Sequence, residues 1–290
     1  MTTIDAHHHL WRYRADEYAW MGPGMESLKR DHLVADLAPL ARAAGVTGTV
    51  AVQARRLEVE TPWLLAIADA EPLVRGVVGW VDPEASDVAE RVAQHARHPA
   101  LVGFREVLHD LPDVDYATSP GHLRLVEAVG RADLAYDLLL RPAHLAAALR
   151  LVDRFPAVRF VVDHVAKPVL RGADAAADGP ARAAWRAGLR ALAERPNVAG
   201  KLSGVLTEAD WATWSVAQAA PVLDEALEAF GPERCMIGSD WPVCTLAAPY
   251  GATLQVAFDV VDRLTETERA QVRGGTATTW YRLPPMEEQP

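Results

Sequence analysis

Short apolar runs alternate with longer amphipathic segments along almost the whole chain. Eight of the apolar runs have the length and composition of strands; they cover residues 3–8, 47–53, 74–80, 101–105, 135–140, 158–163, 198–203 and 235–239. The segments between them carry apolar residues at helical spacing, as in 33–44, 62–70, 84–96, 121–132, 143–154, 181–194 and 217–229. The pattern therefore predicts strands and helices in regular alternation.

This alternation, repeated eight times, predicts an α/β fold: a single, distorted (β/α)8 TIM barrel. The strands read as apolar runs and not as alternating apolar and polar residues, which favours a parallel sheet that is buried on both faces. A doubly wound open sheet is the alternative, but no GxGxxG sequence follows the first strand. We expect one barrel domain over residues 1–283 and a disordered tail over residues 284–290.

Composition and charge limit the kinds of partner. The 290 residues are 50% hydrophobic and 23% charged, and the net charge of −10 is dispersed, which argues against a nucleic-acid partner. No apolar run reaches the roughly 18 residues of a membrane span, and no secretory signal is evident, so no membrane association is expected. With only Cys235 and Cys244, the chain fits the reducing cytoplasm. We expect a small-molecule substrate, and homo-oligomer formation stays open.

Chemically active side chains concentrate where the predicted strands end. In a (β/α)8 barrel the catalytic groups lie at the C-terminal ends of the strands. The residues found at or near these ends are His7, His8, His9, Gln53, Arg105, Glu106, Asp163, His164, Lys201 and Asp240. Three histidines and an aspartate that meet at one barrel mouth would form a divalent-metal or acid–base site.

Side-chain alternation separates the three consecutive histidines. Residues i and i+2 of a strand share a face, so His7 and His9 can address one ion, whereas His8 is predicted to face the helical layer. By the same argument Asp163 is predicted to point away from the site that His164 faces. A structural role remains the alternative for each histidine, and helix capping is the alternative for Asp240.

A second group of side chains is predicted to contact substrate. Arg105 at the barrel mouth is suited to binding substrate oxygens, although a structural ion pair would also explain it. The rings of Trp11 and Trp241 could form the floor of a sugar-sized pocket or could belong to the hydrophobic core. The substrate-binding candidates are Arg105, Lys201, Gln53, Trp11 and Trp241, with Glu106 as a further candidate.

Several segments together resemble one family. They are "DAHHHLW" (5–11), "VAVQA" (50–54), "GVVGWVD" (76–82), "VGFREVLHDLPD" (102–113), "FVVDHVAKP" (160–168), "KLSGVLTEADW" (201–211), "IGSDWPVC" (237–244) and "GGTATTWYRL" (274–283). In this order they are similar to the amidohydrolase superfamily (amidohydrolase 2 type), and within it to the TIM-barrel sugar lactonases that act on L-fucono- and L-rhamnonolactones. The resemblance implies His7, His9 and Asp240 as metal ligands and His164 and Asp240 as catalytic residues. It also implies that the site holds either one divalent metal ion, with zinc as the first candidate, or no metal ion.

The resemblance implies a hydrolase that opens an aldonolactone such as L-fucono-, L-rhamnono- or L-galactonolactone. Water would attack the carbonyl, with Asp240 as general base and then general acid. The segment "KLSG" (201–204) contains no further histidine ligand, and the carboxylated lysine that a two-metal centre needs is not evident. At most one metal ion is therefore expected. Glu106 stands where many sugar lactonases have histidine, which leaves the ring specificity open. One alternative is a metal-dependent enzyme, either a decarboxylase or a hydrolase, that acts on an aromatic or unsaturated acid or on a dicarboxylate lactone. The other alternative is a non-catalytic binding barrel.

Overall fold

A computed structural model describes residues 2–172, 175–177 and 179–284. Its single sheet contains eight parallel strands in sequential order. The strands are β1 (Ile4–His8), β2 (Gly48–Val52), β3 (Val74–Gly79), β4 (Leu101–Glu106), β5 (Ala135–Leu138), β6 (Arg159–Val162), β7 (Val198–Leu202) and β8 (Cys235–Ile237). All eight predicted strands are confirmed, with small differences at their ends. The predicted tail over 284–290 lies outside the described residues from position 285 onward.

Ten α-helices surround the sheet within the described residues, and the seven predicted ones are confirmed. They are α1 (Val34–Ala43), α2 (Glu60–Ala70), α3 (Val88–His95), α4 (Pro120–Arg131), α5 (Leu145–Arg154), α6 (Pro180–Ala193), α7 (Val216–Phe230), α8 (Tyr250–Val261), α9 (Glu266–Ala270) and α10 (Thr276–Trp280). Local chemistry sets their ends: Ser119 accepts a hydrogen bond from the His122 N–H, and Pro120 occupies the first helical position of α4. None of the described helices is both long and apolar enough to span a membrane.

Backbone hydrogen bonds between β1 and the segment after β8 close the sheet into a barrel. The His9 N–H donates to the Trp241 carbonyl at 2.6 Å, and the Asp240 N–H donates to the His7 carbonyl at 2.8 Å. The barrel prediction is therefore confirmed and the open-sheet alternative is wrong. The closure also brings Asp240 beside the histidines of β1.

A β-bulge in β1 determines which side chains face the barrel interior. Between Asp5 and His8, β1 carries one residue more than its partner β2. Because of this bulge, both Ala6 and His7, which are neighbours in sequence, face inward. A similar irregularity in β4, next to Val102, precedes the inward-facing Arg105. Bulges of this kind are common beside active sites because they redirect side chains.

The barrel interior changes character from bottom to mouth. At the N-terminal end the inward residues are apolar, as with Ile4, Val161 and Met236. Tyr281 and Leu283, which follow α10, pack into the same cluster and close the barrel from below. Above this layer the interior side chains are charged or polar, and they support the mouth.

Candidate active site

A cavity of about 480 Å³ opens at the C-terminal ends of the strands. This volume is within the usual range for small-molecule sites. The lining includes four of the predicted site residues: His9, Arg105, His164 and Asp240. The walls include Trp20, Trp211, Arg141 and Glu208. The predicted barrel mouth is therefore the place where a small molecule can reach these groups.

Asp240 forms the centre of the cavity floor. Its backbone adopts a left-handed conformation, with φ of 60°, which aspartate tolerates better than most residues. Its Oδ1 lies 3.8 Å from His7 Nε2, 3.4 Å from His9 Nε2 and 3.7 Å from His164 Nε2. Burial would raise the pKa of Asp240, but His164, His9 and Lys167 hold it at about 2. The carboxyl group is therefore ionised at neutral pH.

His7 and His9 present ring nitrogens to the same point. The Val52 carbonyl lies 2.8 Å from His9 Nδ1 and can accept its proton, which leaves the His9 Nε2 lone pair free. His7 Nε2 lies 3.3 Å from His9 Nε2. Burial holds the pKa of His7 well below its usual value, so the imidazole is neutral, as a metal ligand must be.

The donor set fits a divalent metal ion. One ligand atom from each of His7, His9 and Asp240 lies within 4.8 Å of the others, and all three residues are buried. Two imidazoles and one carboxylate are typical zinc ligands, and three protein ligands leave a position for water or substrate. The three residues are thus a candidate metal site.

His164 reaches the cavity because the chain leaves β6 in an unusual conformation. Residues 164–167 have positive φ values, beginning with 50° at His164 and ending with 47° at Lys167. This turn ends the strand alternation, and His164 Nδ1 lies 2.9 Å from Ser203 Oγ. The prediction that Asp163 points away from the site is wrong for the same reason: Asp163 keeps the strand phase and faces inward, 3.2 Å from His7 Nδ1.

Gly204 leaves the space that His164 occupies. Its φ is 64°, and a Cβ at this position would lie 2.4 Å from His164 Nδ1. We expect Gly204→Ala to displace the imidazole and to lower kcat by about 100-fold, as small misplacements of catalytic groups do. Gly231→Ala is the matched control, because Gly231 has φ of 75° with nothing within 4 Å of its Cβ position. Equal turnover numbers for the two purified variants would contradict this role of Gly204.

Lys201 lies beneath the cavity and not in its lining. Its Nζ contacts Asp137 Oδ2 at 2.5 Å and Asp163 Oδ1 at 2.9 Å, and the side chain is fully buried. Asp163 Oδ2 in turn accepts a hydrogen bond from Arg105 Nη1 at 2.9 Å. The structure thus places Lys201 in a supporting position, where two carboxylates hold its ammonium group, and its role in substrate binding stays a prediction.

The other polar candidates also lie behind the cavity surface. Gln53 is fully buried, and its Oε1 accepts from Arg105 Nη2 at 3.3 Å, so it orients that guanidinium. Glu106 accepts hydrogen bonds from Trp80 Nε1 at 3.0 Å and from Arg56 Nε at 2.6 Å. Substrate contact by Gln53 and Glu106 stays a prediction, since both side chains are held by protein groups. Of the predicted substrate-binding group, Arg105 alone borders the cavity.

The two predicted tryptophans and His8 belong to the structural shell. Trp11 Nε1 donates to the Arg30 carbonyl at 2.9 Å, and Trp11 is fully buried. Trp241 is also buried and does not form the pocket floor. His8 lies outside the cavity lining with its Nε2 2.9 Å from Thr49 Oγ1, in keeping with its predicted orientation. His8 therefore faces away from His7 and His9, as strand alternation predicts.

Loop residues that the sequence reasoning missed form much of the wall. Lys167 Nζ lies 2.8 Å from Glu208 Oε1, and both border the cavity. Trp20 and Trp211 supply aromatic surface. Lys167, Glu208 and Trp211 fall within "FVVDHVAKP" (160–168) and "KLSGVLTEADW" (201–211), but they follow the strand ends, so the strand pattern does not predict them as site residues.

Comparison with known proteins agrees with this architecture. The amidohydrolase family profile matches residues 4–283. An L-fucono-1,5-lactonase of Burkholderia multivorans is 42% identical over 97% of this chain and 96% of its own length, and one of Burkholderia ambifaria is 37% identical over 97% and 95%. The crystal structure of an amidohydrolase from Burkholderia multivorans with bound zinc is 42% identical, with a TM-score of 0.92 over 98% of this chain and 100% of that one. The chain belongs to the amidohydrolase family.

Proposed function

We propose that the protein is a lactonase that hydrolyses the 1,5-lactone of a sugar acid of the L-fuconic type. The observation that carries this proposal is the ionised Asp240 carboxylate, which lies 3.4–3.8 Å from three imidazoles on the cavity floor. The names of the two Burkholderia relatives support the substrate class.

The charged groups at the cavity suit a substrate that is rich in hydroxyl groups. Three cations at the cavity each pair with a carboxylate: Arg55 with Glu60, Arg56 with Glu106 and Lys167 with Glu208. Paired charges still offer donors and acceptors to hydroxyl groups, which suits a polyhydroxylated lactone.

In the proposed mechanism Asp240 takes a proton from the attacking water and later returns it to the departing ring oxygen. His164, held by Ser203, directs its Nε2 into the cavity, where it can donate to the oxygen that becomes negatively charged. Arg105 binds substrate oxygens at the edge of the floor. A zinc ion held by His7, His9 and Asp240 would supply Lewis-acid polarisation and a water of lowered pKa. The zinc-bound structure of the Burkholderia multivorans amidohydrolase supports that choice of metal.

A panel of lactones tests the proposal. Lactone opening at neutral pH releases a proton, so a pH indicator follows it, and NMR identifies the product acid. We expect L-fucono-1,5-lactone and its close stereoisomers to be hydrolysed far faster than the buffer blank, and aromatic acids to release no CO2. If no aldonolactone is hydrolysed above the blank, or if CO2 is released from an aromatic acid, the proposal is wrong.

A further inference from the structure

A continuous line of buried contacts connects the segment after α10 with His7. The Tyr281 hydroxyl lies 2.8 Å from both carboxylate oxygens of Asp137. Asp137 Oδ2 lies 2.5 Å from Lys201 Nζ, which lies 2.9 Å from Asp163 Oδ1, and that oxygen is 3.2 Å from His7 Nδ1. All five residues are buried, so water does not compete for these contacts.

Two groups compete for the same nitrogen of His7. Asp163 Oδ1 can accept a proton from Nδ1, which leaves the lone pair of Nε2 directed at Asp240. Lys201 Nζ, however, lies 3.1 Å from the same Nδ1 and could donate to it. In that second arrangement the ring proton would sit on Nε2, and Nε2 could not act as a ligand.

We propose that Asp137 and Tyr281 are positioning residues that keep Lys201 engaged with carboxylates and thereby hold the His7 proton on Nδ1. Asp137 provides the shorter contact to Lys201, 2.5 Å against 3.1 Å for His7 Nδ1. Tyr281 holds both oxygens of Asp137 and so prevents the carboxylate from rotating away. The orientation of the site therefore depends on a residue at the opposite end of the barrel.

Tyr281→Phe tests this inference because it removes one hydroxyl and changes no charge. Tyr136→Phe is the matched control: Tyr136 precedes Asp137 in β5, is equally buried, and its hydroxyl lies 2.6 Å from His122 Nε2, away from the cavity. Long-range proton–nitrogen NMR of the full-length protein without zinc reports which His7 nitrogen carries the proton, with His7→Ala used for assignment. Competition with a chromogenic chelator measures zinc affinity.

We expect His7 to be protonated at Nδ1 in the wild type and in Tyr136→Phe. In Tyr281→Phe we expect a measurable population protonated at Nε2 and about 10-fold weaker zinc binding, the lower end of the usual effect for groups that orient a ligand. Asp137→Asn should have a larger effect, roughly 10–100-fold on zinc affinity. It also provides a second variant if Tyr281→Phe folds poorly.

Two results would overturn the inference: a wild-type His7 protonated at Nε2, or identical ring spectra and zinc affinities for Tyr281→Phe and Tyr136→Phe. A purely structural role of Tyr281 would lower the unfolding midpoint without changing the ring tautomer. The inference draws on the proposed function only for the importance of His7. The NMR measurement needs neither substrate nor metal, so a failed lactone panel and a failed positioning role give separate results.

Discussion

Asp240→Asn should lower kcat for lactone hydrolysis by roughly 10²–10⁴-fold, the usual contribution of a general acid–base group. The substitution keeps the size of the side chain but replaces the carboxylate with an amide that cannot take a proton from water. It also removes the negative charge that lies within 4 Å of three imidazoles. Initial rates with L-fucono-1,5-lactone, corrected for spontaneous opening, measure the effect.

Zinc content distinguishes the two roles proposed for Asp240. Elemental analysis of the same preparation shows whether the variant has also lost metal. A variant that keeps zinc but loses turnover supports the proton-transfer role, whereas parallel losses assign Asp240 to metal binding alone. Asp153→Asn is the control, since Asp153 lies on the surface in α5 and pairs with Arg195. Turnover near the wild-type value in Asp240→Asn would show that the assignment is wrong.

Lys201→Met should lower the free energy of unfolding by about 3–5 kcal/mol, the usual cost of removing one partner from a buried ion pair. Methionine fills similar space but leaves Asp137 without its cation, and it leaves Asp163 with Arg105 as its remaining cation beside the His7 imidazole. Both carboxyl groups are fully buried, so water cannot replace the lost ammonium group. Urea denaturation followed by circular dichroism measures the change.

Two comparisons make the result for Lys201 interpretable. Lys29→Met removes a lysine that pairs with the exposed Glu26, and it should change the free energy of unfolding by less than about 1 kcal/mol. The double variant Lys201→Met with Asp137→Leu should recover part of the loss, because the orphaned carboxylate is also removed. A change below about 1 kcal/mol for Lys201→Met alone would contradict a charged, buried Lys201.

The fold could be predicted because a parallel barrel buries both faces of every strand. Runs such as 135–140 and 158–163 are mostly apolar, and helix-length segments separate the runs, so their number and order determine the topology. The ligand candidates followed from the same order, since strand ends converge on one mouth. The pairing of His7 with His9 needed only strand alternation, and the bulge before His7 leaves that relation intact.

Other parts of the site depend on contacts that strand phase does not encode. The left-handed turn at His164 lets consecutive residues face one site, whereas alternation alone places Asp163 and His164 on opposite sides. Lys201 faces the barrel interior, but its depth in the barrel and its two carboxylate partners determine its role. The cavity walls come from loops, where Lys167 and Glu208 meet only in the folded chain.

Because Tyr281 and Leu283 close the barrel from below, the order of synthesis limits when the barrel can finish folding. Ile4 and Ala6 share an apolar cluster with Tyr281 and Leu283, which the ribosome adds to the chain much later. Asp137, the partner of Lys201, likewise lacks its contact with the Tyr281 hydroxyl until Tyr281 has emerged from the ribosome. A nascent chain that ends before residue 281 would therefore expose an unfinished interior. The barrel should therefore finish folding only after residue 283 has emerged, and the incomplete chain should depend on chaperones until then.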